Sequence, residues 1–141
     1  PGHGLAKLDS HHSLPKVNKS LKYLDKNDFK AFRKKDVIFA MTSHVIFNSI
    51  DKNNTATHSK KIINLIRNKL SFKNVLITDD ISMKALRYSI KQNTIRSFDA
   101  GCNIVLHCNA KLSEMLEVAK NSPKLNSFLM KKTKEFYKLV S

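Results

Sequence analysis

The sequence contains no tryptophan, three glycines, three prolines and two cysteines in 141 residues. Cys102 and Cys108 are too few for a disulfide scaffold or a four-ligand zinc site. No apolar run approaches the ~18 residues needed to cross a bilayer. No basic-then-apolar leader with a cleavage site opens the chain, so secretion is not indicated. No membrane partner is expected. There is no His-x3-His pair and no Cys-x2-Cys pair, so a metal site is not expected. Acidic residues are also scarce, 11 against 26 Lys and Arg, for a formal net charge of +15. That balance suggests nucleic acid, but its distribution argues against sequence-specific recognition. Arginine, which reads bases bidentately, occurs only at Arg33, Arg67, Arg87 and Arg96, and no run of lysines exceeds two. A small basic module that binds polyanions nonspecifically remains the alternative function.

What is present is enough for a core: 41% of the residues are hydrophobic, and the length suits a single domain over 1–141. Residues 1–18 read as loop. Ser20 caps a helix to about Lys35, with Leu21, Leu24, Phe29 and Phe32 inward. The apolar run Asp36-Val-Ile-Phe-Ala-Met-Thr42 predicts a strand buried on both faces. After a polar loop, Ser59 precedes a helix over 60–70, with Ile62, Ile63, Ile66 and Leu70 inward. Val75-Leu-Ile77 predicts a second strand, ending at Thr78-Asp79-Asp80. Residues 81–100 read as helix in two pieces, capped by Gly101. Asn103-Ile-Val-Leu-His107 predicts a third strand, followed by helices over 111–120 and 123–139.

Short strands alternating with helices mean an α/β fold with a parallel sheet. Three strands are too few for a (β/α)₈ barrel, which needs ~250 residues. They are also too few for a comfortable doubly wound sheet. Together with a start at Pro1, this predicts a portion of a larger fold.

In parallel α/β folds the functional loops leave the C-terminal ends of the strands. Those loops carry Thr42-Ser-His44, Asp79-Asp80 and His107-Cys-Asn109. The N-terminal loop adds His3, Asp9, His11 and His12. Adjacent carboxylates closing a strand point to opposite sides. One of Asp79 and Asp80 therefore faces a cavity while the other bonds locally, unless both cap the following helix. In Asp9-Ser-His11 the carboxylate can hold one ring nitrogen and leave the other free for proton transfer. The same residues also fit an ordinary polar surface loop.

Several stretches together resemble the bacterial β-N-acetylglucosaminidases of glycoside hydrolase family 3. They are Pro-Gly-His-Gly at 1–4, Asp9-Ser-His11 with Leu14-Pro15, and Met41-Thr-Ser-His-Val45. Asp51 with Thr55-Ala-Thr57 and Ser59, Thr78-Asp-Asp-Ile-Ser-Met83, and Ala100-Gly-Cys-Asn-Ile-Val-Leu-His-Cys-Asn109 follow in the family's order. The resemblance implies the C-terminal portion of a (β/α)₈ TIM barrel, its last three strands and the loop before them. It implies Asp79 as nucleophile and His11 as acid/base, oriented by Asp9. The implied reaction is hydrolysis, with retention, of terminal β-linked N-acetylglucosamine from cell-wall muropeptides, in cytoplasmic peptidoglycan recycling without a cofactor. The family's sugar contacts fall upstream of Pro1, so a separately encoded N-terminal barrel half is an expected partner, and the chain alone is expected to be inactive. Two family features differ here. The Gly-rich turn before the nucleophile strand reads Leu70-Ser-Phe-Lys-Asn74, and an Asp of the last-strand motif is Asn103.

Overall fold

The computed structural model describes residues 2–33 and 36–141. Lys35, the predicted end of the first helix, and Pro1 of the opening motif lie outside the described residues. In chain order the elements are β1 (Lys16–Val17), α1 (Leu21–Lys26), β2 (Phe39–Met41), β3 (Ile46–Phe47), α2 (Lys60–Asn64), β4 (Val75–Asp80), α3 (Ile90–Ala100), β5 (Ile104–Leu106), α4 (Leu112–Asn121) and α5 (Ser127–Val140). A three-stranded parallel sheet runs β2-β4-β5, and β1 pairs in parallel with β3 in a smaller ribbon. This is the expected α/β alternation of parallel strands with helices.

Local chemistry sets most of the boundaries. Ser20 and Ser59 accept the Tyr23 and Ile62 amides and start α1 and α2. Gly101 ends α3 at φ 110°, a left-handed conformation that glycine adopts at little cost. Helix α2 continues over Leu65–Lys69 with wider π-type turns. Ile62, Ile63, Ile66 and Leu70 all face the core, as their spacing predicts. The core fills the space between the sheet and α1 and α2. Phe29 is wholly buried there and meets Phe47 edge-on at 5.6 Å. Full burial of such a side chain stabilises the fold by roughly 1.5–3 kcal/mol.

The first predicted helix is shorter than expected: α1 ends at Lys26, and a 3₁₀ turn follows over Phe29–Phe32. Leu21 and Phe32 are exposed, at 37% and 41%, rather than inward. Strand β2 is not buried on both faces. It is an edge of the sheet, and Met41 is 53% exposed. Residues 81–89 are turns rather than helix, because their polar groups have tertiary partners. The Asn93 amide donates to the Ile81 and Tyr88 carbonyls, and the Ala85 amide donates to Ser10. The turn that departs from the family pattern places Ser71 at φ 59°. Arg67 braces this turn by donating to the Phe72 and Asn74 carbonyls and to the Asn103 side-chain oxygen.

Candidate active site

Strand β4 carries Asp79 and Asp80 to its C-terminal end, where both are half-buried. Asp80 is bonded locally: Oδ1 accepts the Ser82 amide at 3.0 Å and the Cys108 amide at 3.2 Å, and Oδ2 accepts the Ser82 hydroxyl at 2.7 Å. Burial by itself would raise the Asp80 pKa, but these bonds outweigh it and hold the carboxyl below its ordinary value. Asp79 accepts one bond, from the Asp80 amide at 2.9 Å. No helix begins here, so the pair are not helix caps.

A buried chain of side chains fixes this strand end. His44 is fully buried, with Nε2 at 2.8 Å from the Asp80 carbonyl oxygen and Nδ1 at 2.8 Å from the Thr57 hydroxyl. A carbonyl only accepts, so Nε2 carries the proton and donates. Burial lowers the His44 pKa and keeps the ring neutral, so Nδ1 accepts from Thr57. The Thr57 hydroxyl in turn lies 2.9 Å from Thr42. The sequence marks Thr42 and His44 as polar residues beyond a strand and as part of the Met41-Thr-Ser-His-Val45 stretch, without a role for either. Thr57, 13 residues from His44, was missed, and its place in the Thr55-Ala-Thr57 motif was the available signal.

The N-terminal loop folds over this strand end. The Ala85 amide donates to the Ser10 carbonyl at 3.2 Å, and His3 Nε2 lies 2.9 Å from the Ser10 hydroxyl. The Asp9 carboxylate accepts both the His11 amide at 2.9 Å and His11 Nδ1 at 2.8 Å. This leaves His11 Nε2 for other work. Its pKa is raised above 6.5, first by the hydrogen bond to Asp9, then by the Asp9 charge, with added contributions from the Asp79 and Asp80 charges. The structure therefore brings Asp9, His11, Asp79 and Asp80 within electrostatic reach of one another. His107 turns away to Glu114 on α4 at 2.9 Å, and His12 lies exposed. Burial pushes the Cys102 thiol up to about 12, which leaves it unreactive. Among the described residues no three His, Cys, Asp or Glu side chains gather as a metal site.

The Asp9–His11 bond makes a signed prediction. Asp9→Asn removes the main cause of the raised imidazole pKa. The protonated form of His11 will then be lost at lower pH, seen as an acid-ward shift of its ring resonances in an NMR titration. An unmoved titration curve would show that Asp9 does not tune His11.

Residues 1–135 match the Glycosyl hydrolase family 3 N terminal domain. The chain is 33% identical over 114 residues to a beta-hexosaminidase of Nitrosomonas eutropha, covering 77% of this chain and 33% of that protein. A beta-hexosaminidase of Neisseria gonorrhoeae is likewise 33% identical over 114 residues, covering 77% of this chain and 32% of that one. Native NagZ from Neisseria gonorrhoeae aligns with a TM-score of 0.77 at 30% identity, over 94% of this chain and 39% of that chain. CbsA from Thermotoga neapolitana aligns with a TM-score of 0.73 at 35% identity, over 85% of this chain and 30% of that chain. This chain spans about a third of the length of these curated relatives. Its motifs, its parallel α/β layout and these matches agree: the chain belongs to glycosyl hydrolase family 3.

Proposed function

We propose that this chain carries the catalytic side chains of a retaining β-N-acetylglucosaminidase that removes terminal β-linked N-acetylglucosamine from cell-wall muropeptides. The observation that supports it is the 2.8 Å Asp9–His11 pair lying within the field of Asp79. Asp79 attacks the anomeric carbon while His11 Nε2–H gives its proton to the departing glycosidic oxygen. The bond from sugar to aglycone breaks and an ester to Asp79 forms. Neutral His11 then takes a proton from water, whose oxygen attacks the same carbon and releases the Asp79 carboxylate. Two displacements restore the β configuration. An imidazole suits both roles because it donates and accepts protons near neutral pH and, when neutral, does not repel the carboxylate nucleophile. Asp9 holds the ring and favours the imidazolium. The relatives' names support a hexosaminidase, and the place we assign it is cytoplasmic peptidoglycan recycling.

The rest of the barrel is the partner we assign. Both β2 and β5 are edges of the described sheet. Beside β2 lies an apolar groove of about 320 Å³, lined by Phe32, Val37, Phe39, Met41, Ile66 and Phe72 among others. An all-parallel sheet is normally covered on both faces, and this groove suits the strands and helices of an N-terminal barrel half. The chain by itself will therefore show little turnover of an aryl N-acetyl-β-glucosaminide. Adding the separately produced N-terminal half will restore it. Normal turnover by the lone 141 residues, or none after a stable complex forms, would each count against this arrangement.

Polyanion binding is a second reading with one observation in its favour. Lys131, Lys134 and Lys138 line a single groove along α5.

A further inference from the structure

Strand β4 is irregular where the two carboxylates sit. Its register against β5 shifts between Ile77 and Asp80. Such an irregularity re-aims side chains and interrupts the ladder locally. Bonds outside the regular ladder then help to hold the strand end. The Asp80 amide donates to Asp79 Oδ1 at 2.9 Å, and the Asp80 carboxylate accepts the Cys108 amide at 3.2 Å. Cys108 belongs to the loop 107–111, which leaves the end of β5 and enters α4.

That loop is strained. Ala110 sits at φ 57°, a left-handed conformation that a residue with a Cβ seldom adopts and keeps only where its surroundings impose it. One carboxylate dominates those surroundings. Glu114, in the first turn of α4, accepts from three side chains of the loop: His107 Nε2 at 2.9 Å, Asn109 Nδ2 at 2.6 Å and the Lys111 ammonium at 3.4 Å. Asn109 Oδ1 also accepts the Lys111 amide at 3.1 Å, which closes the turn over Ala110. The His107 side chain is 6% exposed, and Glu114 is the ring's only hydrogen-bond partner among the described residues. The bonds from His107 first and Asn109 second hold the Glu114 carboxyl down to about 2, so it stays charged at neutral pH. A carboxylate near a helix start is ordinary. This one binds side chains on both sides of Cys108 and of the strained Ala110, as a clamp does.

We propose that Glu114 is a positioning residue: it clamps the loop 107–111 so that the Cys108 amide meets Asp80, and thereby fixes the strand end that carries Asp79. Its bearing on chemistry rests on the nucleophile role assigned to Asp79, whereas the clamp itself does not. His11, His44, His107 and the Cys108 thiol share the field of Asp80, with Asp79 beside it. The reporter is therefore the Cys108 amide proton rather than the Asp80 midpoint. In an NMR pH titration of the full chain, the wild-type Cys108 amide will move as the Asp80 carboxyl takes up its proton. Glu114→Ala will abolish that response and speed exchange of the Cys108 amide roughly tenfold or more, the effect of one hydrogen bond to a charged group. Glu114→Gln keeps an oxygen for His107 and Asn109 and will preserve both readings. The Leu76 amide, bonded to Asn103 in the sheet, is the control for folding. A wild-type Cys108 amide that ignores Asp80 would overturn the proposal without any variant. So would a response that survives in Glu114→Ala, or one lost equally in Glu114→Gln. In the assembled barrel Glu114→Ala will lower kcat by roughly 10²-fold with KM little changed, the scale of a small misplacement. An unchanged kcat would overturn the positioning of Asp79. Wild-type kinetics in Asp79→Asn would instead remove the nucleophile assignment and leave the amide readings standing.

Discussion

Asp79→Asn in the assembled barrel will lower kcat on an aryl N-acetyl-β-glucosaminide by roughly 10⁴-fold or more, the scale seen when a covalent nucleophile is removed. An amide has nearly the shape of a carboxylate. Its oxygen can still accept the Asp80 amide, the one hydrogen bond Asp79 makes among the described residues. The fold should therefore survive, and the loss will report chemistry rather than collapse. Circular dichroism and the unfolding midpoint check the first point, and steady-state kinetics the second. His11→Ala will also slow turnover, while substrate binding persists, because the imidazole acts on a proton and not on the sugar. A variant at position 79 that kept wild-type kinetics would remove the nucleophile assignment, and with it the proposed mechanism.

The second large effect is on stability in mild acid. His58 is buried with a pKa lowered to about 4, and His44 is buried and lowered as well. In the unfolded chain each returns to an ordinary value near 6.5. Above that pH both states hold neutral rings and nothing is lost. As pH falls from about 6.5 to about 4, the unfolded chain binds protons that the folded chain refuses, and stability declines. For His58 alone the full window is worth roughly 3 kcal/mol. Below about 4 the curve steepens again for another reason. Asp51 and Asp80 keep lowered pKa values despite burial, through the hydrogen bonds they accept, and lose that support on protonation. Urea unfolding at pH 7 and at pH 4.5 measures the first window. His58→Leu will flatten it, and a wild-type midpoint that does not change between these pH values would contradict the account.

What the sequence made legible was mostly local. Ser20, Ser59 and Gly101 act within one helical turn of themselves, and each caps a helix as its identity predicts. Asp9 and His11 are two residues apart, so their bond could be read from spacing. Misreadings arise where distant contacts compete with local preference. Residues 81–89 looked helical, yet Ser10 and Asn93 take up their backbone groups. The true start of α3 was written in Ser89 and Gln92, which form a capping box. Strands β1 and β3 have two residues each, too short for any periodicity. The brace from Thr42 through Thr57 to His44 depends on loops that meet only in the folded chain. The approach of His11 to Asp79 came from resemblance, not from spacing, since 68 positions separate them.

The exposed margin of the sheet has a consequence for handling the protein. On the side away from β4, the edge strand Phe39–Met41 has no strand beside it in the described structure, and such an open edge can template pairing with another copy. The surplus of lysine opposes this, because like-charged molecules repel one another at low ionic strength. Salt removes that repulsion and leaves the sticky margin, so the basic character of the chain acts as its guard against precipitation.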